Sequence, residues 1–179
     1  MLAPENSLLL IVDVQGRLAT LMHERELYLA NLKIIIQAAK VMDIPILWTE
    51  QIPKKLGATL PEITEHLSEL KPIIKTCFSC FGNDELVQAL AASGRNQILL
   101  TGIETHVCIY QSALDLIRLQ KEVHVVCDAV SSRISDNKQL GLAKMKDAGA
   151  HLTSTETCLF ELMKTAEHPK FKQVVSLIK

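Results

Sequence analysis

Short apolar runs alternate with amphipathic segments along the chain. The run S-L-L-L-I-V at residues 7–12 is continuous and ends at Asp13, which is typical of a parallel strand buried on both faces. Residues 23–41 instead repeat apolar side chains at spacings of three and four, which predicts a helix. The alternation continues to residue 163. It predicts a three-layer α/β/α fold, a doubly wound parallel sheet of about six strands with helices on both faces.

The remaining elements follow from the same patterns and from local end signals. Further strands are predicted at residues 44–49, 73–75, 97–102, 122–127 and 150–153. Further helices are predicted at residues 84–92, 105–120, 136–148 and 155–163, with a helical turn at Pro61 and a helical tail after Pro169. Asn83 or Asp84 and Ser154 or Thr155 are the candidate N-caps, and Gly94 is a stop signal. Residues 51–60 are predicted as a loop.

The length and net charge of the chain argue against some classes of function. With 179 residues and a net charge of −1, the chain is predicted to be one domain, residues 1–179, without affinity for nucleic acid or an anionic membrane. No apolar run approaches the length of a membrane span, and no signal peptide is evident. The odd number of scattered cysteines, five, predicts reduced thiols in the cytoplasm.

Three residues with reactive side chains end predicted strands. Asp13 follows the first strand, Lys75 ends the third, and Cys108 stands where a strand passes into a helix. Because parallel strands end at a shared edge, these side chains are expected to form one site. A cysteine at a helix N-terminus is also expected to have a lowered thiol pKa, which makes it a nucleophile.

Four segments carry a resemblance to a known family. They are L-L-I-V-D-V-Q (9–15), I-I-K (73–75) with Phe78, Phe81 and Asp84 after it, L-L-T-G-I-E-T-H-V-C (99–108) and C-D-A-V-S-S-R (127–133). In this order, over nearly the whole chain, they resemble the isochorismatase-like cysteine hydrolases, the superfamily that includes nicotinamidase and N-carbamoylsarcosine amidohydrolase. The resemblance implies a catalytic triad of Asp13, Lys75 and Cys108. It also implies a cis peptide at Ile103–Glu104 and an oxyanion hole formed by the backbone N–H groups of Glu104 and Cys108.

The chemistry that the resemblance implies is acyl transfer. Cys108 would attack the carbonyl of a small molecule, at an amide or related C–N bond, while Asp13 accepts the thiol proton and returns it to the leaving nitrogen. Lys75 would stabilise the thiolate and the Asp13 carboxylate, and water would hydrolyse the thioester. The resemblance also favours a homo-oligomer. The tail stripe of Phe171, Val174, Val175 and Ile178 would pack either on a second chain or on its own domain.

The chain departs from its relatives at the metal motif. Nicotinamidases carry Asp-x-His after the second strand, where this sequence has Thr49-Glu50-Gln51. We therefore expect no catalytic metal and no cofactor. True isochorismatases act on a vinyl ether and lack the nucleophilic cysteine, so Cys108 argues against that chemistry.

Several interpretations stay open at this point. The protein could be a catalytically silent scaffold of the same fold, or a thiol-based redox sensor that uses Cys108 or the Cys77-x-x-Cys80 pair. Coincidence explains that pair better than a redox or zinc motif does. Gln15, Trp48, Phe78 and Phe81 are candidate pocket residues, although packing explains the aromatic ones nearly as well.

Polar residues near Cys108 also have two interpretations each. The side chain of His106 is expected to point away from Cys108, toward the surface or an interface. The Glu104 side chain would face the pocket or a neighbouring subunit. The loop Ser131-Ser132-Arg133 could bind an anion, or it could be a structural turn in which Arg133 donates to carbonyl groups.

Overall fold

Parallel strands form the centre of the molecule in a computed structural model that describes residues 1–178. The strands are β1 (Ser7–Val12), β2 (Ile46–Gln51), β3 (Ile73–Lys75), β4 (Gln97–Ile103), β5 (Glu122–Ser131) and β6 (His151–Thr153). They lie in the order β3-β2-β1-β4-β5-β6, and each neighbouring pair is parallel. The chain therefore winds outward from the centre twice, and its direction reverses between β1 and β4.

Helices cover both faces of this sheet, which confirms the predicted three-layer α/β fold. They are α1 (Gly16–Thr20), α2 (Arg25–Val41), α3 (Pro53–Leu56), α4 (Pro61–Thr64), α5 (Asp84–Ser93), α6 (Tyr110–Arg118), α7 (Ser135–Asp147), α8 (Thr155–Met163) and α9 (Phe171–Val175). Single turns of 3-10 helix lie at Pro4–Asn6 and Cys80–Gly82, and a π turn lies at Thr105–Ile109. Within the described residues, no helix is both long and apolar enough to cross a membrane.

The first strand shows why the central runs are continuously apolar. Successive side chains of a strand point to opposite faces of the sheet. Leu9 and Ile11 pack in a core shared with α2 and α8, and Leu8 and Leu10 pack in a second core shared with α5 and α6. Every residue of β1 is buried. Each large apolar side chain contributes about 1.5–3 kcal/mol by this burial, so both faces of the strand stabilise the sheet.

Local end signals set the helix boundaries where the sequence predicts them. The Asn83 side chain caps α5 by accepting a hydrogen bond of 3.0 Å from the Leu86 N–H. The Ser154 side chain caps α8 through the Thr157 N–H at 3.2 Å. Gly94 ends α5 with a left-handed φ of 65°. At α5 and at α8, one of the two candidate residues is therefore the N-cap.

Four segments differ from the prediction. The loop predicted at residues 51–60 contains the short helix α3, and α1 was not predicted. The helix predicted at residues 105–120 begins as the π turn and becomes α-helical only at Tyr110. β5 continues past Cys127 to Ser131, because a register shift lets Val130 and Ser131 pair with the end of β4. The extension of β5 depends on pairing with β4, which periodicity within one segment cannot show.

The C-terminal apolar stripe packs on its own chain. Val174 is fully buried in the core that contains α2. Phe171, Val175 and Ile178 pack against the same core. Of the two partners that the sequence left open for this stripe, the structure selects the chain's own domain.

Gly102 marks a very close approach of β4 to β1. Its φ is +109°, and a Cβ here would lie 2.1 Å from the Val12 carbonyl oxygen. Gly149 has a similar φ of +105°, but a Cβ there would meet nothing within 4 Å. We expect Gly102→Ala to lower the free energy of unfolding by about 2 kcal/mol more than Gly149→Ala, since only the first adds a backbone clash to the shared strain. Urea unfolding of both variants measures this difference, and equal losses would contradict the explanation.

Candidate active site

Three reactive side chains meet at the carboxyl edge of the sheet. Asp13 follows β1, Lys75 is the last residue of β3, and Cys108 lies in the π turn after β4. β1 and β4 are neighbours, and the winding direction reverses between them. In open α/β sheets this crevice is the usual place for a ligand.

Asp13 and Lys75 form a buried ion pair. The Lys75 Nζ lies 2.5 Å from Oδ2 of Asp13, and the two residues are 1% and 4% exposed. The other carboxylate oxygen, Oδ1, accepts a hydrogen bond of 2.8 Å from the Thr49 hydroxyl. Asp13 has a left-handed φ of 53°, a conformation that aspartate tolerates better than most residues. This turn directs its carboxylate back over the strand ends.

Lys75 is held by neutral acceptors as well as by Asp13. Its ammonium donates to the Gln51 Oε1 at 2.7 Å and to the carbonyl oxygens of Cys77 at 3.0 Å and Phe78 at 3.2 Å. β3 lies two strands from β1, a distance of about 10 Å at the usual strand spacing. The long lysine side chain therefore extends past the end of β2 to reach Asp13.

These contacts determine the charge state of Lys75. Burial alone would lower the pKa of its ammonium group, but Asp13, Cys80 and Cys108 together outweigh burial and raise the pKa above its usual value. Lys75 is therefore a fixed positive charge at neutral pH. It cannot serve as a base there, and it holds Asp13 in place instead.

The Cys108 thiol differs from the sequence-based expectation. Burial, followed by the negative charge of Asp13, raises its pKa to about 12, and the charge of Lys75 offsets only part of this rise. The lowered pKa expected from a helix N-terminus is therefore wrong. Burial and a nearby carboxylate outweigh the partial charge of a helix end. At neutral pH the thiol keeps its proton and needs a base to remove it.

A cavity of about 110 Å³ opens above these groups. It is lined by Asp13, Leu18, Gln51, Leu56, Phe78, Ile103, Glu104, Val107 and Cys108. Its walls are mostly apolar, and its polar groups lie together at the strand ends. This combination is typical of a binding site for a small molecule.

Of the four candidate pocket residues, only Phe78 lines this cavity over residues 1–178. Trp48 is buried in the core that contains α2, on the other side of the sheet from Cys108. Phe81 packs against the core that contains Cys108. These two aromatic side chains belong to the packing of the fold, because a position near a strand end does not decide which face a side chain takes.

Gln15 contacts the residues that form the cavity wall but is not in the lining itself. Its side chain accepts a hydrogen bond of 2.6 Å from the Gln51 N–H and donates one of 2.7 Å to the Gly57 carbonyl. It thereby joins the end of β2 to the segment that follows α3. Gln15 supports a wall of the cavity and positions Gln51.

Gln51 is the site residue that sequence reasoning missed. Its Oε1 accepts from Lys75, lies 3.8 Å from the Cys108 Sγ, and faces the cavity. The signal was present, because Gln51 ends β2 just as Lys75 ends β3, and the two residues pair in register. In the sequence alone, residues 49–51 are the end of a predicted strand and the start of a predicted loop, without the metal motif of nicotinamidases.

All three side chains at that place make hydrogen bonds. Thr49 donates to Asp13, and Gln51 accepts from Lys75. The Glu50 carboxylate accepts a hydrogen bond of 2.7 Å from the Thr59 N–H. Residues 49–51 thus build the polar floor of the site and the loop beside it.

The segment before Cys108 has partners that the sequence left undecided. The peptide bond between Ile103 and Glu104 is cis. The Glu104 carboxylate accepts from both the N–H and the Nε of Arg133, each at 3.1 Å, so Arg133 is paired with a carboxylate and not with carbonyl groups. Nδ1 of His106 lies 3.0 Å from the Ser132 hydroxyl. Both side chains connect this segment to the end of β5.

The Cys77-x-x-Cys80 pair is made of two free thiols. Cys80 is fully buried, and burial raises its pKa to about 11, with Lys75 opposing the rise. Its Sγ lies 3.9 Å from the Thr49 hydroxyl. Cys80 therefore packs beneath the ion pair.

The fold and this cluster define a class of protein: a doubly wound α/β domain of the hydrolase type with cysteine, aspartate and lysine at the switch between β1 and β4. A family model for the isochorismatase domain matches residues 7–157. The chain is 38% identical to mouse isochorismatase domain-containing protein 2A, over 98% of this chain and 84% of that protein. The chain therefore belongs to the isochorismatase family.

Solved structures agree with this assignment. The structure named MAR1 ribonuclease from Caenorhabditis elegans is 38% identical, with a TM-score of 0.93, and the match covers 99% of this chain and 91% of that one. The YcaC gene product of Escherichia coli, described as an octameric hydrolase of unknown specificity, is 23% identical, with a TM-score of 0.89 over 98% and 94% of the two chains. The second likeness concerns the fold alone.

Proposed function

We propose that this protein is a cysteine hydrolase that cleaves an amide-like C–N bond of a small molecule through a thioester on Cys108, without a catalytic metal. The observation that carries the proposal is the buried Asp13–Lys75 pair, joined at 2.5 Å beside the protonated thiol. A thiol that keeps its proton needs a base, and the Asp13 carboxylate faces the same cavity. Nucleophile and base therefore share one small space.

The reaction proceeds in two halves. As the Cys108 sulfur attacks the substrate carbonyl carbon, the thiol proton passes to Asp13. Asp13 then gives that proton to the leaving nitrogen as the C–N bond breaks, which leaves an acyl group on sulfur. In the second half Asp13 takes a proton from water, the hydroxide adds to the thioester, and the proton returns to sulfur as the acid departs.

Other groups hold charge during these steps. Lys75 stays protonated and fixes Asp13, so that the carboxylate keeps its position as protons come and go. The backbone N–H groups of Glu104 and Cys108 stabilise the oxyanion of the tetrahedral intermediate, since both residues line the cavity. The Gln51 side chain connects Lys75 to the thiol.

The cavity limits the size of the substrate. Its volume of about 110 Å³ is well below the roughly 300–1,000 Å³ typical of sites for drug-sized ligands. Leu18, Leu56 and Val107 supply apolar walls. The substrate is therefore a small acyl compound whose polar end faces Asp13 and Cys108.

One solved neighbour is named a ribonuclease, and that name belongs to that protein. On this chain the cavity walls within residues 1–178 hold two carboxylates and no lysine or arginine. Binding to a nucleic acid backbone depends on such cations. Both carboxylates are also paired with cations, Asp13 with Lys75 and Glu104 with Arg133. The site therefore favours a small neutral substrate over RNA.

The alternatives of a redox sensor and a silent scaffold are weaker. Thiolates are oxidised far more readily than thiols, and the pKa values of Cys108 and Cys80 are raised to about 12 and about 11. A scaffold would not need a buried lysine and aspartate beside a thiol. The family resemblance favours a homo-oligomer, and self-association is part of this proposal. The C-terminal stripe does not support it, because that stripe packs on its own chain.

Trapping the acyl-enzyme tests the proposal. Small aliphatic and aromatic amides and their activated esters are mixed with the protein, quenched in acid and examined by intact-protein mass spectrometry. We expect an acyl mass on Cys108 that disappears with time as product forms. Cys108→Ala should show neither adduct nor turnover, whereas Cys127→Ala should show both.

Three outcomes would contradict the proposal. The first is turnover that survives Cys108→Ala. The second is turnover that requires an added divalent metal. The third is hydrolysis of RNA by the wild type with no reaction on any amide or ester.

A further inference from the structure

A second cluster of polar side chains lies at the opposite edge of the sheet. Glu122 and His124 stand at the start of β5, and His151 begins β6. His124 and His151 are direct partners in the parallel register. β5 reaches the candidate active site only at its other end, where Ser131 pairs with Ile103. Ser131 comes seven positions after His124, a distance of about 23 Å along the strand, so this cluster is independent of Cys108.

The three side chains bring their possible ligand atoms close together. One oxygen or nitrogen atom from each of Glu122, His124 and His151 lies within 4.8 Å of the others. The Nε2 of His124 is 2.8 Å from Oε1 of Glu122. The two imidazole rings stack, with centroids 4.9 Å apart and 29° between their planes.

The distances between these ligand atoms are close to those around a tetrahedral metal ion. Zinc bonds of about 2.0–2.1 Å place neighbouring ligand atoms about 3.3 Å apart. The Glu122–His124 contact would open slightly, and His151 would move inward. His151 is exposed, so its side chain is free to make that move.

Part of the cluster is already held in place. Oε2 of Glu122 accepts a hydrogen bond of 3.0 Å from the Gln97 side chain, which leaves Oε1 toward His124. The side chain of His124 is only 7% exposed. Burial therefore keeps the imidazole ring of His124 beside the Glu122 carboxylate.

We propose that Glu122, His124 and His151 bind one zinc ion per chain at the amino edge of the sheet. Two imidazoles and one carboxylate are a donor set that zinc accepts. Glu161 lines the same surface depression, and water would complete the coordination of the ion. By joining β5 to the edge strand β6, the ion stabilises the end of the sheet and takes no part in hydrolysis.

Zinc titration of the chelator-treated protein tests this site. We expect isothermal titration calorimetry to show one ion per chain, and the midpoint of thermal unfolding to rise with zinc. His151→Ala should weaken binding by at least about tenfold. Because His151 is exposed, this variant is expected to fold like the wild type. Turnover should be unchanged in it.

The matched control is His66→Ala. His66 also has a carboxylate neighbour, Glu65, with Nε2 and Oε1 3.4 Å apart, but the described residues place no second histidine with that pair. Its removal should leave zinc affinity unchanged. A Cys108→Ala background shows whether the reactive thiol captures the ion.

Two results would overturn the proposal. One is the absence of a binding event at millimolar zinc. The other is binding that is equally tight in the wild type and in His151→Ala, which would place the ion elsewhere, for example on cysteine sulfur. Neither result would affect the proposed hydrolase, since acyl-enzyme trapping measures that separately.

Discussion

Asp13→Asn should abolish turnover and at the same time make the Cys108 thiol more reactive. Turnover should fall by about 10³-fold, because asparagine cannot accept the thiol proton. The rate of alkylation should rise, because the charge of Asp13 raises the Cys108 pKa more than the charge of Lys75 lowers it. We expect alkylation by iodoacetamide at about pH 8 to become about tenfold faster or more.

The pH profile of the wild type supplies the reference. With a pKa of about 12 for Cys108, its alkylation should rise about tenfold per pH unit and show no plateau below about pH 10. An unperturbed thiol would level off above about pH 8.5. In Asp13→Asn the rise should shift to lower pH, since removal of a negative charge favours the thiolate. Peptide mass spectrometry reads each cysteine separately.

Two controls separate this effect from unfolding. Cys80 and Cys158 are fully buried and have pKa values of about 11 and about 12, so a global opening would expose them together with Cys108. Asp43→Asn replaces an exposed aspartate with the same left-handed backbone, φ 57° against 53°, and should change neither property. Slower alkylation of Cys108 in Asp13→Asn, or retained turnover, would refute the assignment of Asp13 as the base.

Lys75→Met should destabilise the protein by about 3–5 kcal/mol. The substitution leaves the Asp13 carboxylate buried without its counter-ion, which is the costly way to break a buried pair. It also removes the donor from the Gln51 side chain and from the Cys77 and Phe78 carbonyl groups. The midpoint of urea unfolding measures the loss.

A double variant shows where the loss comes from. In the double variant Asp13→Asn with Lys75→Met, neither charge remains. Its loss in free energy of unfolding should therefore be smaller than the sum of the losses in the two single variants. Lys55→Met, at an exposed lysine, should change stability by less than about 0.5 kcal/mol. Because the Lys75 pKa is raised, its contribution is fully present below the unfolded value of about 10.4 and is lost only as the pH rises through the higher folded value. A loss below about 1 kcal/mol at neutral pH would mean that Lys75 is not the counter-ion of Asp13.

The sequence carried much of the fold in local patterns. The apolar run of β1 and the spacing of α2 predicted a buried strand and an amphipathic helix at nearly their observed bounds. The caps Asn83 and Ser154 marked helix starts because their side chains accept hydrogen bonds from N–H groups only three residues away. Such features need no knowledge of distant segments, so a single sequence contains them.

The candidate site was predictable to a smaller extent. Asp13, Lys75 and Cys108 could be grouped because all three lie at or just after the ends of strands, and parallel strands end at one edge. Gln51 was missed although it ends β2 in the same way, since an amide side chain is neither a nucleophile nor an acid or base. Trp48 was a pocket candidate that packing explained nearly as well, and it lies in the core. The face of the sheet that it takes depends on the packing of α2.

By itself, then, the sequence determined the order of strands and helices, the family, and the three strand-end residues that could react. These depend on periodicity and on position within single elements. Only the tertiary structure decided that the Cys108 pKa rises instead of falling, because burial and the charge of Asp13 arise from segments far apart in the chain. It alone placed His124 beside His151, since that pairing requires β5 and β6 to be neighbours in register. The charge state of a side chain and the identity of its neighbours depend on contacts between segments that are distant in the sequence. No single segment determines them.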